Sequence, residues 1–383
     1  MTRVYLDHNA TTPLKPQVRE HWCAELERLT GNASSVHASG RLARAALDAA
    51  RERTAAALGV DEDEIVFTSG GTESNNLAIL GAAALLDPKL AIVTTAIEHS
   101  SVLGPVEALR RQGRSTRSVA VDAHGRPDAE ALSAAALDPT VGLVTVMCAN
   151  NEVGSLASLA AVATRVRTRG PRALVHTDAV QALGRIPLDL RGWNVDLASF
   201  SAHKVGGPLG VGILYKKKGV QVAGLLSGGE QEGGLRPGTE NVPAISAASV
   251  AIELAVRDRA HYAEHARALL ALLWRELSAA IPDIAIAGPP LDASDRLPNT
   301  LNLSCAAVDG RMLVARLDLE GLETSAGSAC ASGSLEPSHV LLAMGFTAER
   351  ARAALRISVG WNTNAADIHS AVDILRRTLL ALR

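Results

Sequence analysis

The sequence predicts an α/β fold with a mainly parallel, seven-stranded sheet domain covered by helices on both faces, and a smaller α+β C-terminal domain. Two observations predict it. Short apolar segments of strand length alternate with helix-length segments from the N-terminus to about residue 215, and such alternation is typical of parallel sheets that are buried on both faces. After that point the pattern changes to a glycine-rich loop and a long helical region at about 242–277, which we expect to lead into the second domain.

The individual elements follow from apolar periodicity and from the turn residues between them. A first strand is predicted at 4–6, and helices are predicted at 16–29, 41–58, 73–86 and 158–168. The seven strands of the main sheet are predicted at 65–68, 90–94, 119–121, 141–147, 173–176, 195–200 and 211–215. The C-terminal domain is predicted to contain strands at 299–304, 322–325 and 356–359 and helices at 311–319 and 364–380.

Composition and charge exclude several classes of protein. The 383 residues are enough to bury the core of one large or two medium domains. The formal net charge of -2 offers no basic surface for direct nucleic-acid binding. The sequence has no uncharged apolar run of 18 residues, which argues against a membrane span. The N-terminus contains Arg3 and Asp7 and lacks the apolar region of a signal peptide, so we expect a cytoplasmic protein.

The cysteines and histidines indicate reduced thiols and no resident metal. Cys23, Cys148, Cys305 and Cys330 lie far apart without a CxxC pair, a pattern that favours free thiols over a disulfide framework or a zinc site. The segment HYAEH, residues 261–265, has the spacing of two metal ligands on a helix. Because no further ligands accompany it, we expect a solvent-exposed helix face there.

The segment SFSAHKVGGPLGVG, residues 199–212, places Lys204 between a polar turn and a glycine-rich run at the end of an apolar strand. The chain has six lysines and 32 arginines. A single lysine in such an apolar setting indicates amine chemistry, and Schiff-base formation with a carbonyl compound is the first interpretation. The alternative is an ordinary exposed lysine beside a glycine turn.

Polar residues also follow the neighbouring strands, where ligands of parallel sheets collect. Gly71 and Thr72, in SGGTESNN, begin a helix and could bind a phosphate; simple helix capping is the alternative. His99, in IEHSS, could stack on a flat cofactor and relay protons; a capping histidine is the alternative. Further strand-end positions are occupied by Asn150, Asn151, Asp178, Gln181, Ser201 and His203.

Together these residues match the needs of pyridoxal 5′-phosphate (PLP): an amine for its aldehyde, a ring stacker, a partner for the phenolic oxygen and phosphate donors. A buried acid is unfavourable without a cationic partner, and the protonated ring nitrogen of the cofactor would pair with Asp178. The strand-end residues therefore predict a PLP site.

Two further residues extend the site. Cys330 lies in SAGSACASGSLEPSHV, a run too small and polar for a core, which favours a nucleophilic thiol over an inert one. Cys148, by contrast, ends an apolar strand and is expected in the core. Arg356, in ALRISVG, could bind a substrate carboxylate; a structural salt bridge is the alternative.

These motifs resemble a known family over nearly the whole chain and in the same order. The similarity runs through YLDHNATTP, GNASSVH, FTSGGTESNN, IEHSSV, NNEVG, HTDAVQALG, SFSAHK, GGEQEGGLRPGTEN, SAGSACASGSLEPSHV and RISVG. The sequence resembles the cysteine desulfurases of the NifS and IscS type, in the class V aminotransferase group of fold-type I PLP enzymes. The resemblance implies removal of sulfur from L-cysteine to give L-alanine and a persulfide on Cys330. The sulfur is then passed to an acceptor protein, either an iron–sulfur scaffold or a thiolation enzyme.

The resemblance also implies a role for each site residue. Lys204 would bond the cofactor and, with His99, move a proton of the substrate. Asp178 would pair with the ring nitrogen and Gln181 with the phenolic oxygen. The phosphate would be held by Gly71, Thr72, Ser201, His203 and, from the other subunit of a homodimer, Thr239. Asn151 and Arg356 would bind the substrate carboxylate. Cys330 could contact a metal cluster only in transit.

The resemblance further implies a large PLP-binding domain at 13–256 and a small domain of 1–12 and 257–383, which carries the cysteine loop at about 325–337. The chain departs from the usual family pattern at Ala33, Glu230 and Trp361. These departures put partner choice and substrate entry in doubt. Two alternatives stay open: a selenocysteine or cysteine sulfinate lyase of the same fold, and a catalytically silent partner protein of a sulfur pathway.

Overall fold

The computed structural model describes residues 3–168, 173–305, 308–326 and 336–382. A short N-terminal strand, β1 (Val4–Tyr5), precedes the strands of the main sheet. These are β2 (Ile65–Thr68), β3 (Ala91–Thr95), β4 (Thr116–Val119), β5 (Val141–Thr145), β6 (Leu174–Asp178), β7 (Leu197–Ser201) and β8 (Gly212–Lys216). They form one seven-stranded sheet in the order β2-β8-β7-β6-β5-β3-β4. The predicted mainly parallel sheet is confirmed, and β8 alone runs antiparallel to its two neighbours in it.

Every residue of β2, β3, β5 and β7 is buried. This explains why these segments consist of apolar residues with a few small Ser and Thr residues and do not alternate between polar and apolar, since helices cover both faces of the sheet. The strand predicted at 119–121 was wrong in position, because the observed strand β4 spans Thr116–Val119 and overlaps the prediction only at residue 119. The strand at that position, β4, is at the sheet edge and is polar and partly exposed, so it lacks the apolar pattern on which the prediction depended.

The helices of the N-terminal part agree with the predicted ones and add two more. They are α1 (Pro16–Arg28), α2 (Ala38–Leu58), α3 (Gly71–Leu85), α4 (Ser100–Arg111), α5 (Ala129–Leu137) and α6 (Leu159–Thr168). The long helical region contains two helices, α7 (Val242–Arg257) and α8 (Arg259–Ala280), which meet at Asp258.

The C-terminal part forms a second, smaller sheet. It has four strands, β9 (Ile284–Ile286), β10 (Thr300–Cys305), β12 (Ser325–Ala326) and β13 (Ala354–Ser358), in the order β12-β13-β10-β9, whereas β11 (Leu322–Glu323) forms a two-stranded sheet with β1. The helices of this part are α9 (Gly310–Leu319), α10 (His339–Ala343), α11 (Ala348–Arg352) and α12 (Ala365–Ala381). The single strand predicted at 322–325 was wrong. The segment is divided at Thr324 into two short strands: β11 pairs with β1, whereas β12 pairs with β13 in the other sheet.

The described residues pack around two main cores. The larger one joins the seven-stranded sheet to α2 and α7. The smaller one brings Val4 and Leu6 from the N-terminus into contact with side chains of α8, α9 and α12. The division into residues 13–256 and residues 1–12 with 257–383 stays a prediction, and the two cores are consistent with it. In the described part of the chain, no helix is long and apolar enough to cross a membrane.

Candidate active site

A cavity of about 320 Å³ lies beyond the carboxyl ends of the strands of the main sheet. The structure brings together every site residue that the sequence predicts, apart from Thr239 and Cys330. The residues that line the cavity include Gly71, Thr72, His99, Asn151, Asp178, Gln181, Ser201, His203, Lys204 and Arg356. This is the position at which parallel sheets bind ligands, because the loops that follow neighbouring strands meet there.

Lys204 follows β7 in a short 3-10 turn, Ala202–Val205, which ends at Gly206. Gly206 has φ 82°, a left-handed conformation that favours glycine. The side chain of Lys204 is half-buried, and its Nζ donates to the backbone carbonyls of Asn9, at 2.7 Å, and Ala10, at 2.6 Å. Lys204 is therefore not the ordinary exposed lysine of the alternative interpretation, since its amine is held inside the cavity.

Asp178 ends β6 and is buried. Its Oδ2 accepts a hydrogen bond from Asn75 Nδ2 at 2.7 Å, and its Oδ1 accepts one from the backbone N–H of Val180 at 3.0 Å. Within the described ranges, Asp178 forms no ion pair. A buried carboxylate that is oriented by neutral donors and faces a cavity is suited to a cationic ligand atom.

Gln181 stands one turn after Asp178 and is also buried. Its Nε2 donates to the backbone carbonyl of Asn9 at 3.0 Å, which fixes the orientation of the amide. Its Oε1 is buried and has no hydrogen-bond partner among the residues that the structure describes. An unsatisfied buried acceptor in a cavity wall indicates that a ligand supplies the missing donor.

His99 is the N-cap of α4 and also lines the cavity. Its Nδ1 accepts from the backbone N–H of Ser101 at 3.1 Å and lies 2.7 Å from Ser101 Oγ. Because Nδ1 acts as an acceptor, we assign the ring proton to Nε2. The capping interpretation is therefore confirmed, and stacking on a cofactor stays a prediction, with which the place of His99 in the cavity wall is consistent.

The N-terminus of α3 forms another wall of the cavity. Gly71 is its first residue, and a Cβ there would lie 2.8 Å from Val180 Cγ2, so the site needs a residue without a side chain. No side chain caps the first turn at Gly70, which leaves its N–H groups and positive dipole end available to an anion. Thr72 makes no cap bond either, so the simple capping interpretation is not supported.

Ser201 and His203 also line the cavity, and Ser201 lies beside the start of α3, since a Cβ on Gly71 would be 3.6 Å from Ser201 Cβ. Burial, followed by the positive charges of Lys204 and Arg185, lowers the pKa of His203 to about 4. The ring is therefore neutral at pH 7 and can donate one N–H. Its Nδ1 lies 3.0 Å from Thr11 Oγ1.

Arg356 is in β13 and is almost fully buried, with 1% of its surface exposed. Its Nη2 donates to Asp7 Oδ1 at 2.7 Å and its Nη1 to the carbonyl of Asn151 at 3.3 Å. The salt bridge of the alternative interpretation is therefore present. The guanidinium nevertheless lines the cavity, and its buried Nε has no hydrogen-bond partner in the described part of the chain.

Sequence reasoning missed several residues of the site. Asn9, Asn75, Ser101 and Met147 also line the cavity. The signals for the first two were present, because Asn9 lies in the polar run LDHNATT and Asn75 lies in TESNN, directly beside residues that were selected.

Two buried glutamates stand behind the cavity and were also missed. Glu98 Oε1 accepts from Thr95 Oγ1 at 2.6 Å and from the N–H of Met147 at 2.8 Å, and burial raises the pKa of Glu98 to about 8. Glu152 Oε2 accepts from Ser338 Oγ at 2.5 Å, and burial raises the pKa of Glu152 to about 7.

Two predicted residues are not among these lining residues. Thr239 is exposed and does not line the cavity, and Cys330 lies outside the described residues. Cys148 is buried, which confirms its predicted place in the core. Of the departures from the family pattern, Ala33 packs against the large core and Glu230 is exposed, so neither lines the cavity.

Comparisons with known proteins agree with this architecture and site. The family model of the class-V aminotransferases matches residues 4–370. The chain is 42% identical to the cysteine desulfurase IscS of Dictyoglomus turgidum, over 99% of this chain and 95% of the relative. A solved NifS-like protein superposes with a TM-score of 0.92 and 37% identity, covering 99% of this chain and all of that one.

A solved structure of SspA in complex with cysteine is 32% identical and superposes with a TM-score of 0.79, over 93% of this chain and 98% of that one. Both the family match and the relatives extend over nearly the full length of the chain. The chain therefore belongs to the class-V aminotransferase family and, within it, to the cysteine desulfurases.

Proposed function

We propose that the cavity at the strand ends is the site at which this PLP-dependent cysteine desulfurase binds its cofactor and cysteine, with Lys204 as the covalent anchor and Cys330 as the sulfur acceptor. The observation that carries the proposal is the convergence of the predicted strand-end residues on one cavity, although they come from widely separated parts of the sequence. When bound, PLP supplies an electron-withdrawing ring that stabilises negative charge at the substrate α-carbon.

The residues present fit this cofactor. Asp178, buried and without an ion pair in the described ranges, would balance the charge of the protonated ring nitrogen. Gln181 Oε1, which is buried and unsatisfied, would accept a hydrogen bond from the substrate amine or the phenolic oxygen in its protonated form. The phosphate would be bound by the first turn of α3 at Gly71 and Thr72, together with Ser201 and neutral His203.

Lys204 has two tasks in the proposed reaction. Its amine would anchor the cofactor covalently and, when free, would take the proton from the substrate α-carbon. The carbonyls of Asn9 and Ala10 hold Nζ at the cavity wall. His99, with its proton on Nε2, assists the proton transfer.

Arg356 and Asn151 would bind the carboxylate of the substrate. Three of the five N–H donors of Arg356 have no partner in the described ranges, since Nη1 and Nη2 make one hydrogen bond each, to Asn151 and Asp7, and Nε makes none. The related SspA binds cysteine, which supports a cysteine-sized site. Since Asp7 already fixes the guanidinium, little side-chain entropy is lost when the substrate binds.

Cys330 would receive the sulfur as a thiolate. It attacks the thiol sulfur of the substrate: a new S–S bond forms and the substrate C–S bond breaks, with its electron pair remaining on carbon. That carbon takes up a proton and alanine leaves, while Cys330 carries the persulfide. The argument for Cys330 rests on its small, polar sequence surroundings and on the family resemblance.

Sulfur transfer to an acceptor follows from the family, and the identity of the acceptor is part of the proposal. We propose an iron–sulfur scaffold or a thiolation enzyme as the acceptor, and a homodimer in which Thr239 reaches the phosphate of the partner subunit. The loop that carries Thr239 is fixed to the sheet domain by the ion pairs of Arg236 with Glu73, at 3.1 Å, and of Arg51 with Glu232, at 2.5 Å. Thr239 is exposed in the single chain, as an intersubunit contact requires.

Two variants test the roles of the anchor and the acceptor. Lys204→Ala should lose the visible absorbance of bound PLP, whereas Cys330→Ser should keep that absorbance and lose release of alanine from cysteine. Lys89→Ala and Cys23→Ser are matched controls at exposed positions outside the cavity and should behave like the unaltered protein. Persistent absorbance in Lys204→Ala would mean that another lysine bonds the cofactor. Sustained turnover of cysteine by Cys330→Ser would overturn its role, and turnover of selenocysteine alone would favour the lyase alternative.

A further inference from the structure

A second cavity, of about 480 Å³, is larger than the proposed active site and has no role in the reaction described above. It lies between the start of α1, the junction of α7 with α8, and the turn after β13. The two cavities share a single lining residue, Lys204. Its volume is in the range of sites that bind small molecules.

Arg185 gives this cavity an uncompensated positive charge. The residue is buried, with 3% of its surface exposed. Its guanidinium donates to the carbonyls of Gln181, at 3.2 Å, His8, at 3.5 Å, and Lys204, at 3.4 Å, and it also interacts with the phenol of Tyr262. All of these partners are neutral, and no carboxylate of the described ranges pairs with Arg185. A buried cation without a counter-ion is unfavourable, and an anionic ligand would relieve that cost.

A second cation, Lys15, lines the same cavity and is half-buried. Burial lowers the pKa of Lys15, and the nearby carboxylate of Asp258 partly offsets this effect. Asp258 is the sole acidic residue among the lining residues that the structure describes. His8 adds no charge at pH 7, because burial and the charge of Arg185 lower its pKa to about 3. The cavity therefore presents more positive than negative charge.

The remaining walls are aromatic and apolar. Trp361, Tyr262 and the two histidines of HYAEH, His261 and His265, line the cavity. The imidazole rings are nearly parallel, with an interplanar angle of 16° and centroids 6.4 Å apart. The prediction of a solvent-exposed helix face is confirmed for His261. It is wrong for His265, which is half-buried because this part of α8 packs against the C-terminal part of the chain.

Hydrogen bonds to the backbone fix two of these rings. His265 Nε2 donates to the carbonyl of Thr363 at 2.8 Å, and Trp361 Nε1 donates to the carbonyl of Pro13 at 3.1 Å. Because Nε1 is the single polar atom of the Trp361 side chain, this ring has only apolar contact and its π-system to offer a ligand. Trp361 is one of the departures from the family pattern, so this wall is a feature of the present sequence.

We propose that the second cavity binds a small planar aromatic carboxylate, whose anionic group pairs with Arg185 and Lys15 and whose ring packs against Trp361 and Tyr262. The charge requires an anion, and the fixed rings favour a flat body over a branched one. The proposal is independent of the roles assigned to the active-site residues, since it uses none of the residues that are confined to the other cavity.

The test is titration of the purified PLP-loaded protein with salicylate, followed by calorimetry and ligand-observed NMR, with benzyl alcohol as a neutral ring of similar size. Salicylate should bind with saturation, and benzyl alcohol should bind at least about tenfold more weakly. Lys15→Gln and Trp361→Leu should each weaken salicylate binding about tenfold, because each removes one of the two kinds of contact. These positions are suited to the test because Arg185, which holds three backbone carbonyls, cannot be replaced without disturbing the fold.

Lys89→Gln is the matched control, since it removes an exposed lysine far from the cavity and should leave the affinity unchanged. The proposal is overturned if salicylate does not saturate below about 10 mM, an affinity weaker than a specific small-molecule site provides. It is equally overturned if both Lys15→Gln and Trp361→Leu bind as the unaltered protein does, because salicylate would then occupy another place. Equal binding of benzyl alcohol would overturn the anionic class of ligand.

Discussion

The polar residues that line the proposed active site differ from the buried glutamates directly behind it. Asp178 and Gln181 face an open cavity and rely on a ligand to complete their charge balance or hydrogen bonding. Glu98 and Glu152 are also buried but do not line the cavity, and their hydrogen bonds go to other segments of the chain: Glu98 Oε1 accepts from the N–H of Met147 and Glu152 Oε2 from Ser338 Oγ, while Glu98 Oε2 has no partner in the described ranges. We therefore expect the first pair to serve the chemistry of the site and the second pair to hold neighbouring segments together.

The difference shows in where the partners come from. Glu152 bonds to Ser338, 186 residues away in the chain, and the carbonyl of Glu98 lies 2.9 Å from His339 Nε2. Both contacts fasten the start of α10 to the strand ends of the main sheet. If this comparison is correct, substitutions in the lining should affect activity more than stability, and substitutions in the glutamates and their partners should affect stability in a pH-dependent way.

The largest expected effect is that of Asp178→Asn. The variant removes the negative charge that would balance the ring nitrogen, so kcat/KM for alanine formation should fall roughly 10³-fold, as expected for loss of one charged stabilising group. The free energy of unfolding should change by only about 1 kcal/mol, because asparagine can accept just one of the two hydrogen bonds that Asp178 accepts. Steady-state kinetics and urea unfolding measure the two quantities.

Asp373→Asn on α12 is the control, since the side chain of Asp373 is 69% exposed. A large loss of stability without a loss of kcat/KM in Asp178→Asn would place Asp178 among the structural residues and remove the distinction drawn above.

The sequence allowed most of the fold and the lining of the site to be predicted, for a definite physical reason. Strands buried on both faces are continuously apolar, and residues that contact ligands follow them directly. Asp178 and Lys204 were found in this way, because a polar residue after an apolar strand is conspicuous. The pattern failed at the edge strand β4, which pairs with one neighbour and does not need an apolar sequence.

The glutamates could not be predicted in this way. Glu98 and Glu152 follow strands too, but nothing local separates a buried, partnered glutamate from an exposed one. Ser338, which bonds to Glu152, and Met147, one of the two partners of the Glu98 side chain, are distant in the chain, so the role of each glutamate depends on tertiary contacts. The split of 322–325 into β11 and β12 has the same origin, because the partner of β11 is the N-terminal strand β1.

Glu98→Gln should change how stability depends on pH. The pKa of Glu98 is raised to about 8 in the folded protein, so between about pH 4.5 and pH 8 the folded state binds more protons than the unfolded state. Stability therefore falls as pH rises through this window. Glutamine keeps the oxygen that accepts from Thr95 and Met147 but does not ionise. The difference in the free energy of unfolding between the variant and the unaltered protein should therefore shift in favour of the variant, by on the order of 2 kcal/mol, when the pH is raised from 5.5 to 8.5.

Urea unfolding at pH 5.5, 7 and 8.5 measures this gain. The groups that face Glu98 are Thr95, Met147, Asp178 and His99, and Asp178 acts in the direction that raises the pKa. Glu349→Gln, an exposed residue of α11, should show the pH dependence of the unaltered protein. An unchanged pH dependence in Glu98→Gln would mean that Glu98 is ionised in the folded state and that burial does not set its charge.

The smallest expected effect is that of Ser338→Ala. Ser338 Oγ donates to Glu152 and accepts from the backbone N–H of Leu341 as the N-cap of α10, so its loss should cost about 1–2 kcal/mol. The hydrogen bond stabilises the ionised form of Glu152, whose pKa is about 7. The loss should therefore be larger at pH 8.5 than at pH 6, where Glu152 is mostly protonated and the bond is weaker.

Thr347→Ala is a closely matched control, because Thr347 caps the neighbouring helix α11 at Arg350 and is exposed. Its loss should cost about 1 kcal/mol at every pH, since no buried carboxylate accepts from it. If Ser338→Ala and Thr347→Ala show the same loss at both pH values, Ser338 acts only as a helix cap. The contact between α10 and the strand ends would then not depend on the charge of Glu152. The buried glutamates would in that case differ from the lining residues in their position but not in a pH-dependent contribution to stability.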